Sequence, residues 1–249
     1  MKFAGKTALI TGASRGIGFA IAQRLIAEGA RVCLTARNQE SLDEAVAELG
    51  GPPNAIGVAG RADDVEHRES AVTQALEQFG RLDLLVNNAG INPAYGPLMD
   101  LDLDASRKAF EVNCLAPIAW MQQAHRAWMG EHGGAVVNVS SLAGMQPAPG
   151  MGLYGATKAM LNRITQQLAV ELAPAIRVNA VAPAVVKTRF AGALFDGRED
   201  EVAQAYPLKR LGVPEDIGGV VAFLLSEDAA WLTGQVIVVD GGLLLAGSA

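Results

Sequence analysis

"TGASRGIG", Thr11–Gly18, follows the apolar run Ala8-Leu9-Ile10 near the start of the chain. Gly12, Gly16 and Gly18 punctuate the change from that run to a segment whose apolar residues, Ile17, Ile21 and Leu25, recur at helical spacing. The pattern reads as strand, tight loop, helix. Glycines let a backbone turn sharply and approach a ligand closely. The new helix aims its unpaired N–H groups and positive dipole end at whatever the loop encloses. A pyrophosphate suits that place. The spacing is G-x-x-x-G-x-G, which differs from the G-x-G-x-x-G dinucleotide fingerprint but serves the same physics.

Outward from this stretch, short β-rich runs alternate with helical segments to the far end. Strands are predicted at 7–11, 31–35, 55–58, 82–88, 135–140, 176–181 and 235–240. Helices are predicted at 16–28, 39–49, 66–79, 104–129, 152–173 and 214–225. Mostly apolar strands alternating with helices predict an α/β fold with a parallel sheet covered on both faces. Ligands of such sheets bind beyond the carboxyl ends of the strands.

No linker, repeat or low-complexity tract divides the 249 residues, so residues 1–249 read as one domain. Hydrophobic residues are 50% and charged residues 18%, as in a well-buried soluble α/β protein. No apolar run reaches the roughly 18 residues of a membrane span. A net charge of −6 argues against a nucleic-acid partner. Cys33 and Cys114 lie far apart without metal spacing and read as reduced thiols of a cytoplasmic protein. His67, His125 and His132 form no ligand pattern; no metal site is expected, and surface roles are.

"TGASRGIG", "NNAG" (87–90), Ser141 with Tyr154-x-x-x-Lys158, and "TGQVIVVDGG" (233–242) together resemble the short-chain dehydrogenase/reductases, in order and over nearly the whole chain. The resemblance implies a single Rossmann-type doubly wound domain with a seven-stranded parallel sheet, usually in a homotetramer. It places Gly12, Ser14, Arg15, Gly16, Ile17 and Gly18 against a nicotinamide dinucleotide. Asp64 and Val65 would contact the adenine, in a register that the adjacent Asp63 leaves open by one residue. Asn88, Ala89 and Gly90 would line the cofactor, and Pro183, Val186 and Thr188 would close on its nicotinamide end. Where the family has Pro-Gly this chain has Pro183-Ala184, and alanine resists positive φ.

NAD-using relatives carry an acidic residue after the second strand for the ribose hydroxyls. Ala36 stands there, followed by Arg37. Arg15 and Arg37 suit a 2′-phosphate, which guanidinium groups clamp with charge-assisted hydrogen bonds. NADP(H) is therefore expected over NAD(H).

Tyr154 and Lys158 share one face of a helix. A nearby ammonium lowers the pKa of a phenol, ordinarily about 10, towards a useful acid–base range. Ser141 can donate to a carbonyl oxygen as charge develops on it. By resemblance, Asn113 holds a water between the lysine and solvent; asparagine is a weak helix former, which fits a place kept for a hydrogen bond. The expected reaction is reduction of a small-molecule ketone or aldehyde. A 3-oxoacyl thioester on acyl carrier protein is the less favoured substrate. The basic residues that would steer an acidic carrier are missing at Gly130–Gly134 and Ala173–Ile176. A non-catalytic NADP(H)-binding scaffold is the remaining alternative. Residues 189–212 suit a mobile lid. The stripe Met160, Ile164, Leu168, Leu172 and the tail around Leu243–Leu245 suit subunit contacts.

Overall fold

The computed structural model describes residues 1–246. Strands β1 (Thr7–Thr11), β2 (Arg31–Ala36), β3 (Ala55–Ala59), β4 (Leu84–Asn87), β5 (Gly134–Val139), β6 (Ile176–Pro183) and β7 (Val236–Val239) form one parallel sheet. Their order is β3-β2-β1-β4-β5-β6-β7. The chain winds outward from β1 to β3, returns to the middle at β4, then winds the other way. The crevice between the carboxyl ends of β1 and β4 is therefore the switch point where such sheets bind ligands.

Side chains alternate across each strand, so each face of the sheet has its own core. Ala8, Ile10, Val32, Leu34 and Val86 point to one face. There they meet α1 (Gly16–Ala27), α2 (Gln39–Glu48) and α9 (Pro214–Leu225). Leu9, Cys33, Leu85, Val136 and Val178 point to the other face. That face is covered by α3 (Val65–Phe79), α5 (Ala116–Ala124) and α7 (Gly152–Glu171). The short α4 (Leu103–Phe110), α6 (Gly130–His132), α8 (Glu199–Gln204) and α10 (Leu243–Ala246) complete the helices.

Two features depart from the sequence reading. The helix expected over 104–129 is interrupted by wider π-turns at Glu111–Leu115 and His125–Met129. And His67, expected at the surface, is buried. It follows the spacing of Ala71, Ala75 and Phe79 on the inner face of α3, with its ring edge-to-face against Trp120 at 5.6 Å. Burial lowers its pKa, so it packs as a neutral ring. His125 and His132 are exposed.

The stripe on α7 is half-buried at Met160, Ile164, Leu168 and Leu172, while Leu161, Thr165 and Ala169 make the buried face. In the tail, Leu243 and Leu244 are half-covered and Leu245 is exposed; Gly247–Ala249 lie outside the described residues.

The first turn of α1 touches the end of β4. A Cβ built on Gly18 would lie 2.6 Å from Asn88 Nδ2, 2.7 Å from the Gly12 carbonyl and 2.8 Å from Ala13 Cα. Two of those neighbours are backbone and cannot swing away. Gly18→Ala is expected to destabilise the fold by about 1–3 kcal/mol, the usual cost of overpacking, as a lowered urea midpoint at unchanged slope.

Candidate active site

A cavity of about 1360 Å³ runs along the carboxyl ends of the central strands. Its floor begins at the glycine loop. Gly12 and Gly16 adopt φ of +64° and +59°, which side chains resist, so the loop needs glycine at both points. The Ala13 N–H donates to Thr35 O at 3.0 Å, holding the loop across β2. Thr11 and Asn88 lock it to β4. The Thr11 hydroxyl accepts from the Asn88 and Ala89 N–H groups, both at 3.0 Å. The Asn88 amide returns bonds of 2.9 Å to the carbonyls of Thr11 and Gly12. Gly12, Ser14, Arg15, Gly16 and Ile17 line the cavity, as do Asn88, Ala89 and Gly90. Gly18 does not; it acts through the close packing described above.

Ala36 and Arg37, beyond β2, line the cavity, as does Arg15 of the glycine loop. Both arginines are exposed, and neither forms an ion pair among the described residues. Of the two adjacent aspartates beyond β3, one lines the cavity. Asp64 caps α3, accepting from His67 N at 2.8 Å, and Val65 is 58% exposed; neither lines the cavity. Asp63 does. It is paired with Lys108 and, at 3.2 Å, with Arg61. Burial raises its carboxyl pKa, but the hydrogen bonds from Lys108 and Arg61 outweigh burial and hold it below the ordinary range.

At the opposite end stand Ser141, Tyr154 and Lys158, all lining the cavity. Ser141 follows β5 and starts a short turn, its oxygen accepting from Ala143 N at 3.2 Å. Tyr154 is 7% and Lys158 3% exposed. The ammonium donates to Val139 O at 2.8 Å and lies 5.7 Å from the centre of the tyrosine ring. The Lys158 backbone carbonyl accepts from Ser140 Oγ at 3.2 Å. Burial pushes the phenol of Tyr154 up to about 12, against a lowering contribution from the Ser141 hydroxyl. Burial pushes Lys158 down to about 8. At neutral pH the pair is thus a neutral phenol, able to donate, beside an ammonium.

Asn113 sits in the first π-turn, wholly buried and outside the cavity wall. Its Oδ1 accepts from Ile91 N at 2.9 Å, and its Nδ2 donates to Ile91 O at 2.9 Å and to Thr157 Oγ1 at 3.0 Å. The wider turn brings this amide to the lysine's neighbourhood.

Pro183, Val186 and Thr188 close the cavity from the end of β6. Ala184 keeps an ordinary backbone; Lys209, at φ 54°, is the one described non-glycine residue in the left-handed region. The Ala184 N–H donates to Val239 O at 3.1 Å, which fixes the loop without a glycine. Residues 189–212 hold a short turn, Gly192–Leu194, and α8, tied back by a 2.9 Å pair between Lys187 and Glu199. From this segment Phe190 brings its ring to 6.1 Å from that of Tyr154. Phe190 and Thr157 are residues of the site region that the sequence alone did not single out.

The residues fit a nicotinamide dinucleotide: a glycine cradle at one end, uncommitted guanidinium groups beside it, and a proton donor at the other end. Comparison with known proteins agrees. A family model described as "Enoyl-(Acyl carrier protein) reductase" matches residues 12–244. A "Dehydrogenase/reductase SDR family member 4" of Caenorhabditis elegans is 40% identical over 250 residues, covering 97% of this chain and 96% of that protein. The crystal structure of a short-chain dehydrogenase/reductase described as glucose/ribitol dehydrogenase, from Brucella melitensis, superposes with a TM-score of 0.92 at 36% identity, covering 97% of this chain and 98% of that one. A blue fluorescent protein from a metagenomic library, solved in complex with NADPH, gives 0.88 at 35% identity and covers 98% and 99%. With these motifs, this sheet and this identity over nearly the full length, the chain belongs to the short-chain dehydrogenase/reductase family of oxidoreductases.

Proposed function

We propose that the protein reduces a ketone or aldehyde carbonyl of a small molecule to an alcohol, using NADP(H). The observation that carries this reading is the convergence of Ser141, Tyr154 and Lys158 at one end of a cavity whose other end is the glycine loop. When bound, NADPH supplies the hydride. Ser141 and Tyr154 orient the carbonyl through its oxygen. The Tyr154 phenol, kept neutral by burial, gives its proton to that oxygen as negative charge develops there. Lys158 then faces a phenolate and stabilises it at a distance that burial makes effective. Apolar side chains at the substrate end, among them Ile91, Leu142, Met151, Phe190 and Leu194, shield the reacting atoms from water.

The cofactor assignment rests on Arg15 and Arg37 and on the lack of a carboxylate at Ala36. The relative solved with NADPH supports it. Asp63 and its basic partners would meet the adenine, in the place expected of Asp64 and Val65. Asn113 acts by holding the loop at Ile91 beside Lys158.

The family model's description keeps an acyl thioester as the second reading. Against it stand the exposed Glu131 and the absence of basic residues over Ala173–Ile176. A homotetramer belongs to the same proposal. It would cover exposed Trp231, Phe223 and Leu245 and, along α4 and the π-turn, Leu103, Phe110 and Leu115. No described helix is long and apolar enough to cross a membrane. The buried free thiols Cys33 and Cys114 suit a reducing, cytoplasmic setting.

Three outcomes are expected. Tyr154→Phe lowers kcat by about 100- to 10,000-fold, the contribution of a positioned acid, while NADPH still binds by fluorescence titration. Arg37→Ala, measured as the ratio of kcat/KM for NADPH to that for NADH, lowers the preference for NADPH by about tenfold or more, the worth of one charged hydrogen bond. kcat/KM for NADPH falls as pH rises through about 8, because Lys158 loses its proton there and can no longer stabilise the phenolate.

A further inference from the structure

Thr157 lies between Tyr154 and Lys158 on α7 and is 2% exposed. Its hydroxyl donates to the Tyr154 backbone carbonyl at 2.7 Å and accepts from Asn113 Nδ2 at 3.0 Å. Its own backbone carbonyl accepts from Cys114 Sγ at 3.3 Å. Two consecutive residues of the π-turn thus grip one residue of the helix. We propose that Thr157 is a positioning residue, the link through which the cavity floor at Ile91 sets the placement of Tyr154 and Lys158; this rests on the reductase reading of the site.

The link has a defined polarity. The Ile91 N–H donates to Asn113 Oδ1, and the Ile91 carbonyl accepts from Nδ2, so the amide can face only one way. The second hydrogen of Nδ2 then points at Thr157 Oγ1. A hydroxyl has one proton. With one of its two lone pairs taken by Asn113, Thr157 directs that proton to the Tyr154 carbonyl. Each bond leaves the next group one arrangement, from the wall of the cavity to the turn that carries the proton donor.

The same geometry sets the surroundings of the ammonium. A Cβ built on Gly90 would lie 3.4 Å from Asn113 Oδ1 and 3.4 Å from Lys158 Nζ, so the amide oxygen and the ammonium both border Gly90 of the cavity wall. The ionisable groups facing Lys158 are the Tyr154 phenol and the Cys114 thiol, and burial keeps both neutral, pushed up to about 12 and about 11. Among the described residues no anion pairs with the ammonium. The carbonyl dipole of Val139 meets it at 2.8 Å. Removing the Thr157 hydroxyl would leave one Nδ2 hydrogen unpaired in the interior and loosen both the amide and the first turn of α7.

The test compares Thr157→Val, which keeps the volume and removes the hydroxyl, with Thr157→Ser, which keeps the hydroxyl. Two readouts are taken below the melting temperature of each variant. One is kcat and KM for NADPH reduction of whichever carbonyl the wild type turns over. The other needs no substrate: the titration of Lys158, followed by NMR of [ε-13C]lysine and assigned with Lys158→Arg. The expected result for Thr157→Val is a kcat lower by about tenfold or more, as small misplacements of reacting groups produce, with KM for NADPH nearly unchanged. Its Lys158 midpoint is expected to move down from about 8. Thr157→Ser should return both to near wild type. If Thr157→Val does not fold, Thr157→Cys, a poor hydrogen-bonding isostere of serine, carries the comparison. Unchanged titration and kcat in a folded hydroxyl-free variant overturn the proposal, as does equal damage in Thr157→Ser. If the wild type reduces no carbonyl, the reductase reading fails, and the titration still decides whether Thr157 sets the lysine's surroundings.

Discussion

An ammonium group held almost entirely out of water is costly unless dipoles replace its hydration, and Lys158 is such a group. Its charge is met by the carbonyl of Val139 at the end of β5, so the lysine is fastened to the sheet itself. Ser140 fastens the lysine's own carbonyl from the next residue of the same strand end. The helix that carries Tyr154 is thereby set against β5 in one register, with Ser141 delivered beside the phenol by the residue after Ser140. The cost of burying the charge is what pushes Lys158 down to about 8. The same dryness pushes Tyr154 up to about 12, making it a donor rather than a base when the cavity holds no cofactor charge.

The sheet makes this local arrangement useful. Because the strand order reverses between β1 and β4, the glycine loop after β1 and the Asn88-Ala89-Gly90 segment after β4 face one another across a crevice. Thr11 and Asn88 close the back of that crevice with four hydrogen bonds. β4 lies between β1 and β5, so the Lys158–Val139 contact places Tyr154 and Lys158 two strand spacings from the glycine loop. Buried polar bonds extend this order behind the site. Asn87 donates to Asn138 at 2.9 Å, and Asn138 to Thr165 at 2.8 Å, tying β4, β5 and α7 together. Hydrogen bonds of this kind, made in a low dielectric, favour a single packing.

Much of this was legible in the sequence because strand and helix periods are local. β1 and α9 lie where apolar spacing and turn residues put them. The site was legible because its residues fall at strand ends and on one helical face. What escaped had longer-range causes. Two adjacent aspartates, Asp63 and Asp64, look alike along the chain. The residue just before a helix spends its side chain on capping, and α3 begins at Val65, one residue before the expected start. That leaves Asp63 for the cavity. His67 has no ligand pattern around it in the sequence; the signal that it packs inward is its spacing with Ala71 and Ala75. Asn113 marked a weak point in a helix, but a π-turn needs tertiary partners, here Ile91 and Thr157, to be stable. Ala184 shows the converse: a bond to β7 replaces the glycine that the family pattern suggested.

The central claim is that one cavity delivers hydride and proton to the carbonyl of a small molecule. The most direct measurement is steady-state NADPH oxidation, followed at the nicotinamide absorbance, with aryl ketones and 1,2-diketones beside acetoacetyl-CoA. The account predicts turnover of the free ketones and diketones, with the thioester the poorer substrate. Strong turnover of the thioester alone would contradict the small-molecule reading, and no oxidation with any carbonyl would contradict the reductase reading itself.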